Sequence, residues 1–230
     1  GYKQRENMGS YFGRIYQPRY LTGIAAGHLT EEDEIGYVAA FPTSEVVRGI
    51  NAFALGVSSA NPEATVRVEY TNTWNDADIE SQAATSLIED GVDVMAQHQN
   101  YPAAAQAANE AGIWATGYNS PMGEYVGENY VTAPIWNWEV FYRLTVEALR
   151  YDNWEADFYW KGMDAGIVDL SSWGPKVPSG VRESVSDRRN DIVSGRLDVW
   201  AGTRFEDYDD EQLFRAVDSY VDSVAGTVPE

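Results

Sequence analysis

Two kinds of hydrophobic pattern alternate through the middle of the chain. Residues 34–41 (EIGYVAAF) are a short apolar run rich in β-formers. Ser44 then precedes a stretch reaching Val57, in which Val46, Val47, Ile50, Phe53 and Ala54 recur at helical spacing. Residues 65–70 (TVRVEY) alternate as a strand does, and residues 76–89 carry an apolar helical face at Ile79, Ala83, Ala84 and Leu87. A third strand is predicted at 92–96 (VDVMA), an Ala-rich helix opened by proline at 102–111, and a fourth strand at 113–117 (IWATG). Gly91 and Gly112 fall where the helices end, as left-handed C-terminal glycines do. Strand, helix, strand at this spacing predicts βαβ units around a parallel sheet.

The flanks read differently. Residues 7–27 predict a helix carrying Tyr11, Phe12, Tyr16 and Tyr20, residues 138–149 an amphipathic helix, and residues 187–194 a third helix. Pro175, Pro178 and Gly180 mark a loop or crossover. The flanks lack the strands for a second complete sheet, which is the pattern expected of a two-lobed protein whose first lobe is incomplete in this chain. A start at Gly1 in place of Met agrees with that expectation.

With 230 residues, 44% of them hydrophobic, the chain can build one large domain or two small lobes. No apolar run approaches the roughly 20 residues of a membrane span, and no N-terminal leader pattern is present, so any export signal or lipid anchor is expected outside this sequence. The lack of cysteine excludes disulfides, thiolate metal sites and cysteine nucleophiles. Net charge is −20, from 36 acidic and 16 basic residues, and a field of that sign repels nucleic acid. Only Lys3, Lys161 and Lys176 are lysines. Scattered carboxylates with so few lysines predict a protein adapted to high salt, where self-repulsion is screened.

No phosphate-binding glycine loop, zinc-binding histidine spacing or nucleophile elbow occurs, and His28 and His98 are the whole histidine supply. Carboxylate pairs are too common here to signal a glycosidase. The expectation is a binding protein with no catalytic residue, metal or cofactor. In an open parallel sheet, ligands sit beyond the carboxyl ends of the strands. The segments there are FPTSE (41–45), NTWND (72–76), HQN (98–100) and YN (118–119). Trp74 can stack on a planar ligand or pack under its loop. His98 can contact a ligand or serve as a hydrogen-bonded structural imidazole. Asn100 and Asn119 can donate and accept toward a heterocycle or sugar, or can make turns. Glu45 can contact ligand or complement the helix dipole. Trp136, Trp138, Trp160 and Lys161 add candidates near the crossovers.

These residues support a family resemblance. The stretches NMGSYFGRIYQPRYLTGIAAG, IGYVAAFPTSEVVRGINAFALG, TNTWND, GVDVMAQHQN, WNWEVFY and YWKGMDAGIVDLS resemble the basic membrane protein (BMP) family of ABC-transporter substrate-binding lipoproteins, which includes purine-nucleoside receptors. SYVDSVAGTVPE is similar to that family's closing helix and tail. The resemblance implies an α/β fold of the periplasmic-binding-protein type I kind, with two lobes of parallel sheet flanked by helices and ligand clamped between them. It implies that 1–33 ends an N-terminal lobe and crosses over, that 34–130 is the second lobe, and that 131–230 returns to the first lobe and closes with a helix. It further implies an extracytoplasmic, lipid-anchored protein that delivers a purine nucleobase or nucleoside to an ABC permease, a sensor of the same fold for a sugar being the alternative. Its site would use Trp74, His98, Trp136, Trp138 and Trp160, with Asn100, Asn119 and Lys161; relatives often have Asp where this chain has Asn100 and Asn119.

Overall fold

The computed structural model describes residues 5–229, so Lys3 and the outermost residues of the two flanking segments lie outside the described residues. The central sheet has four parallel strands in the order β3-β2-β4-β5: β2 (Glu34–Ala39), β3 (Thr65–Tyr70), β4 (Val94–His98) and β5 (Trp114–Ala115). β2 and β4 are buried on both faces, which is why they read as continuous apolar runs. Helices α1 (Tyr16–Leu29) and α2 (Ser44–Ala60) pack on the face presented by Ile35, Tyr37 and Ala39. Helices α3 (Ala77–Glu89) and α4 (Ala103–Glu110) cover the opposite face, with Val38 and Met95 beneath them. The period-two alternation of one strand thus feeds two separate cores.

Local chemistry sets the helix ends. The Asp76 carboxylate accepts from the Ile79 N–H at 3.1 Å and caps α3. Gly91 (φ 96°) and Gly112 (φ 80°) follow α3 and α4 in the left-handed region, as their positions predict. α1 and α2 cross so closely that a Cβ on Gly23 would strike the Phe53 carbonyl, and one on Gly56 the Tyr20 carbonyl.

Around this sheet lie β1 (Ser10–Gly13), paired in parallel with β7 (Phe158–Lys161), and β6 (Pro134–Trp136), antiparallel to β8 (Val168–Leu170). α6 (Trp138–Arg150) follows β6; the short α5 (Gly123–Val126) precedes it. α7 (Ser179–Val193) packs on α1 through Val181, Val185 and Ile192. α8 (Asp210–Arg215) opens with a capping box between Asp209 and Gln212.

Several expectations need correction. Tyr11 and Phe12 lie in β1 and not in a helix, because their backbone pairs with β7. The third strand of the central sheet runs to His98, so this imidazole ends β4 where the sequence places it beyond the strand. α7 starts eight residues before the predicted helix, immediately after Pro178, whose ring suits a helix entry (187 − 179 = 8). The expected closing helix does not form over the described residues of SYVDSVAGTVPE. That segment lies along β3 instead: Val66 donates to the Ser223 carbonyl at 3.0 Å and accepts from the Ala225 N–H at 2.9 Å. Burial of Tyr220, Val221 and Val224 favours this edge position over a helix with solvated apolar side chains.

Candidate ligand-binding site

The carboxyl ends of β2, β3, β4 and β5 converge on an aromatic and cationic group. Phe41 follows β2, Trp74 follows β3, His98 ends β4, and Tyr118 lies three residues past β5. Their rings form a chain: Phe41 to Trp74 at 5.8 Å, Trp74 to His98 at 6.0 Å, and His98 to Tyr118 at 4.6 Å between centroids. The Trp74 loop is laced to the 98–100 segment. Gln99 Nε2 donates to Thr71 Oγ1 at 2.6 Å, the Asn100 N–H to the Trp74 carbonyl at 3.3 Å, and Asn100 Nδ2 to Asn75 Oδ1 at 2.9 Å.

His98 is 1% exposed, and neither ring nitrogen has a partner among the described residues. Burial, with the Arg19 and Arg48 guanidiniums nearby, holds its pKa well below the ordinary histidine value. The imidazole therefore stays uncharged at neutral pH and keeps one donor and one acceptor.

Two arginines flank it. Arg48, on the buried face of α2, donates through Nη1 to the Leu213 and Phe214 carbonyls at 2.7 and 3.0 Å. Its guanidinium lies over the Trp160 and Phe214 rings at 5.5 and 5.6 Å. Burial lowers its pKa to about 10 against the pull of the Glu45 carboxylate. Arg19, on α1, donates to the Tyr37 hydroxyl at 3.0 Å, the Gln97 carbonyl at 3.4 Å and Asn119 Oδ1 at 3.4 Å, and sits over the Tyr118 ring at 4.9 Å. Arg19 and Arg48 are the buried arginines among the described residues, and neither is in a salt bridge there.

A cleft of about 480 Å³ opens beside this group, lined by Thr43, Ser44, Glu45, Arg48, Trp74, Phe214 and Arg215. Of the residues expected at the site, the structure brings Glu45, Trp74, His98 and Asn119 together around Arg19 and Arg48, with Trp160 joined through Arg48. Glu45 also occupies the first turn of α2, so the cleft and the helix dipole both act on it. The Asn100 amide is exposed and engaged with Asn75. Trp136 and Trp138 stack on each other at 4.6 Å and pack against Phe12 and Tyr11. Lys161 is exposed at the end of β7.

Sequence reasoning missed Arg19, Arg48 and Phe214. The signal for the arginines was available: each sits on an otherwise apolar helical stripe, where an arginine is rarely buried without a partner. Phe214 carried no such signal, since only the chain's return brings α8 over α2. No group of three His, Asp or Glu side chains suited to a metal occurs among the described residues.

Residues 1–200 match the family described as ABC transporter substrate-binding protein, PnrA-like (Bmp). The chain belongs to this family. It is 52% identical over 229 residues to a putative ABC transporter glucose-binding protein of Haloferax volcanii, a match covering 100% of this chain and 59% of the relative. It is 35% identical over 202 residues to a purine-binding protein of Brucella abortus, covering 88% of this chain and 57% of the relative. The chain thus spans less than two thirds of the length of these relatives. Among solved structures, an ABC transporter solute-binding protein from Aeropyrum pernix superposes with a TM-score of 0.74 at 16% identity, over 86% of this chain and 67% of the other. A transcriptional activator of the comK gene from Bacillus halodurans gives 0.76 at 23%, over 84% and 68%. The periplasmic-binding-protein type I-like α/β fold expected from the sequence is therefore observed.

Proposed function

We propose that this chain belongs to an extracytoplasmic, lipid-anchored binding protein that captures a purine nucleobase or nucleoside for an ABC permease and catalyses no reaction. The observation that carries this reading is His98, an uncharged imidazole with both nitrogens free, set between the rings of Trp74 and Tyr118 at the carboxyl end of the sheet. Aromatic faces suit a planar heterocycle, and a donor beside an acceptor suits its polar edge. Similarity to a purine-binding relative supports the ligand class, and membership of the family supports the permease partner. In this reading residues 34–130 form the second lobe with α1 packed on their sheet, the remaining flanking residues contribute to the crossovers and the first lobe, and lobe closure traps the ligand.

A second reading is capture of glucose or another sugar. It is favoured by 52% identity to the relative named as glucose-binding, and aromatic rings with hydrogen-bonding neighbours also suit a sugar. Intrinsic tryptophan fluorescence in molar salt, titrated with adenine, adenosine, guanosine, inosine and glucose, separates the two. Saturation at micromolar purine with no response to glucose is expected. Saturation by glucose alone would replace the purine reading with the sugar reading, and no saturation by any of the five would end both.

A further inference from the structure

The site has a component that joins two strands to the segment beyond a third without belonging to any of them. Arg19 enters from α1 and reaches Tyr37 on β2, the Gln97 carbonyl on β4 and Asn119 beyond β5, with its guanidinium plane over Tyr118. Asn119 adopts φ 52°, in the left-handed region that asparagine enters more readily than other non-glycine residues. Arg19 and His98 both border Gly49: a Cβ there would lie 3.0 Å from Arg19 Cδ and 3.2 Å from His98 Nδ1. At 3% exposure, with no carboxylate partner among the described residues, this guanidinium is costly to bury unless its neighbours use it.

We propose that Arg19 is the positioning residue of the binding site, pinning the Tyr118–Asn119 turn to β2 and β4 and setting the charge environment of His98. The proposal rests on the ligand site assigned above. It deepens that assignment by naming what holds the wall opposite Trp74 and what adds to burial in keeping His98 a neutral donor–acceptor pair. Two cations face that imidazole, Arg19 from α1 and Arg48 from α2, and both disfavour its protonation. Glu45, also on α2, acts on Arg48 and Tyr118; Tyr37 on β2 binds Arg19; and Tyr118 lies against the ring itself. The planar fork of arginine makes the pinning contacts, whereas a lysine retains a charge without the fork. The two roles are therefore separable by substitution.

The test is a pH titration of the His98 imidazole by NMR without ligand, in wild type, Arg19→Lys and Arg19→Met, the signal being assigned by its loss in His98→Gln. Wild type and Arg19→Lys are both expected to titrate well below the ordinary histidine value. Arg19→Met leaves the burial of His98 in place but removes one flanking cation, and its midpoint is expected to rise above that of wild type. A midpoint that stays with wild type overturns the electrostatic role. Amide hydrogen exchange at residues 117–120 is expected to be about tenfold faster in both variants, and unchanged exchange overturns the pinning role. Affinity for adenosine, or for glucose if that is what the wild type binds, is expected to fall about tenfold in both variants, and retained affinity contradicts positioning of the site. If the wild type binds neither probe, the proposed function fails, while the titration and exchange still decide the role of Arg19. If Arg19→Met does not fold, exchange and affinity in Arg19→Lys decide it.

Discussion

At the scale of single residues, the site is defined by side chains that are expensive where they stand. Trp74 is half-buried at a loop tip, held by Asn100 and faced by His98, and base stacking on such a ring is worth on the order of 1–3 kcal/mol. Trp74→Ala is expected to weaken purine binding by that amount in a fluorescence or calorimetric titration; unchanged affinity would remove Trp74 from the site. Titration offers a second check. Glu80 on α3 is buried, and desolvation raises its pKa to about 7. A carboxyl group raised in the folded state contributes stability that is complete below about pH 4.5 and is lost as pH rises through about 7. His98 acts in the opposite sense: its depressed pKa contributes stability above about pH 6.5 that is lost as pH falls. Subtracting the denaturation free energies of Glu80→Gln from those of wild type between about pH 4.5 and 7.5 isolates Glu80, and the difference is expected to shrink with rising pH. A flat difference would show that the folded state does not favour the protonated carboxyl.

At the scale of elements, the α1–α2 crossing sets the geometry of the site, because α1 carries Arg19 and α2 carries Glu45 and Arg48. Gly23 and Gly56 allow this approach by presenting no Cβ to the facing carbonyls. Gly56→Ala is expected to destabilise the fold by about 1–3 kcal/mol in chemical denaturation, since the backbone it meets has no rotamer to change. A stability within about 0.5 kcal/mol of wild type would mean that the helices separate at little cost. α8 is the other deciding element. Its carbonyls hold Arg48, its Phe214 roofs the cleft, and Asp210 binds Arg14 at 2.8 Å through both carboxylate oxygens. Six residues stabilise little helix alone, so these contacts and the capping box carry α8.

At the scale of the whole molecule, charge is distributed by sign. A net −20 covers the surface, and the two buried arginines lie at the site. Self-repulsion of the acidic surface falls as the Debye length shrinks from about 10 Å at 0.1 M to about 3 Å at 1 M salt. The melting temperature is therefore expected to rise between these concentrations, as the arginine and lysine count predicts for a protein of saline surroundings. A melting temperature that falls with added salt would oppose the high-salt reading. The relative in Haloferax volcanii fits that reading.

Periodicity and turn chemistry by themselves determined the βαβ block. Strands buried on both faces read as apolar runs, helices as 3.6-residue stripes, and Gly91 and Gly112 as helix stops, all of them local consequences of backbone geometry. The rule that ligands lie beyond the strand ends was enough to single out the loops holding Trp74 and Asn119 and the end of β4 at His98. The tertiary structure decided the rest. Whether Trp136 and Trp138 join the cleft or stack against β1 depends on Phe12 and Tyr11, over a hundred residues away in sequence. Whether the last residues form a helix or lie along β3 depends on the free edge at Val66. That Arg19 and Arg48 flank His98 depends on how two helices cross, because burial of a guanidinium is favourable only where distant carbonyls, hydroxyls and rings converge to replace water.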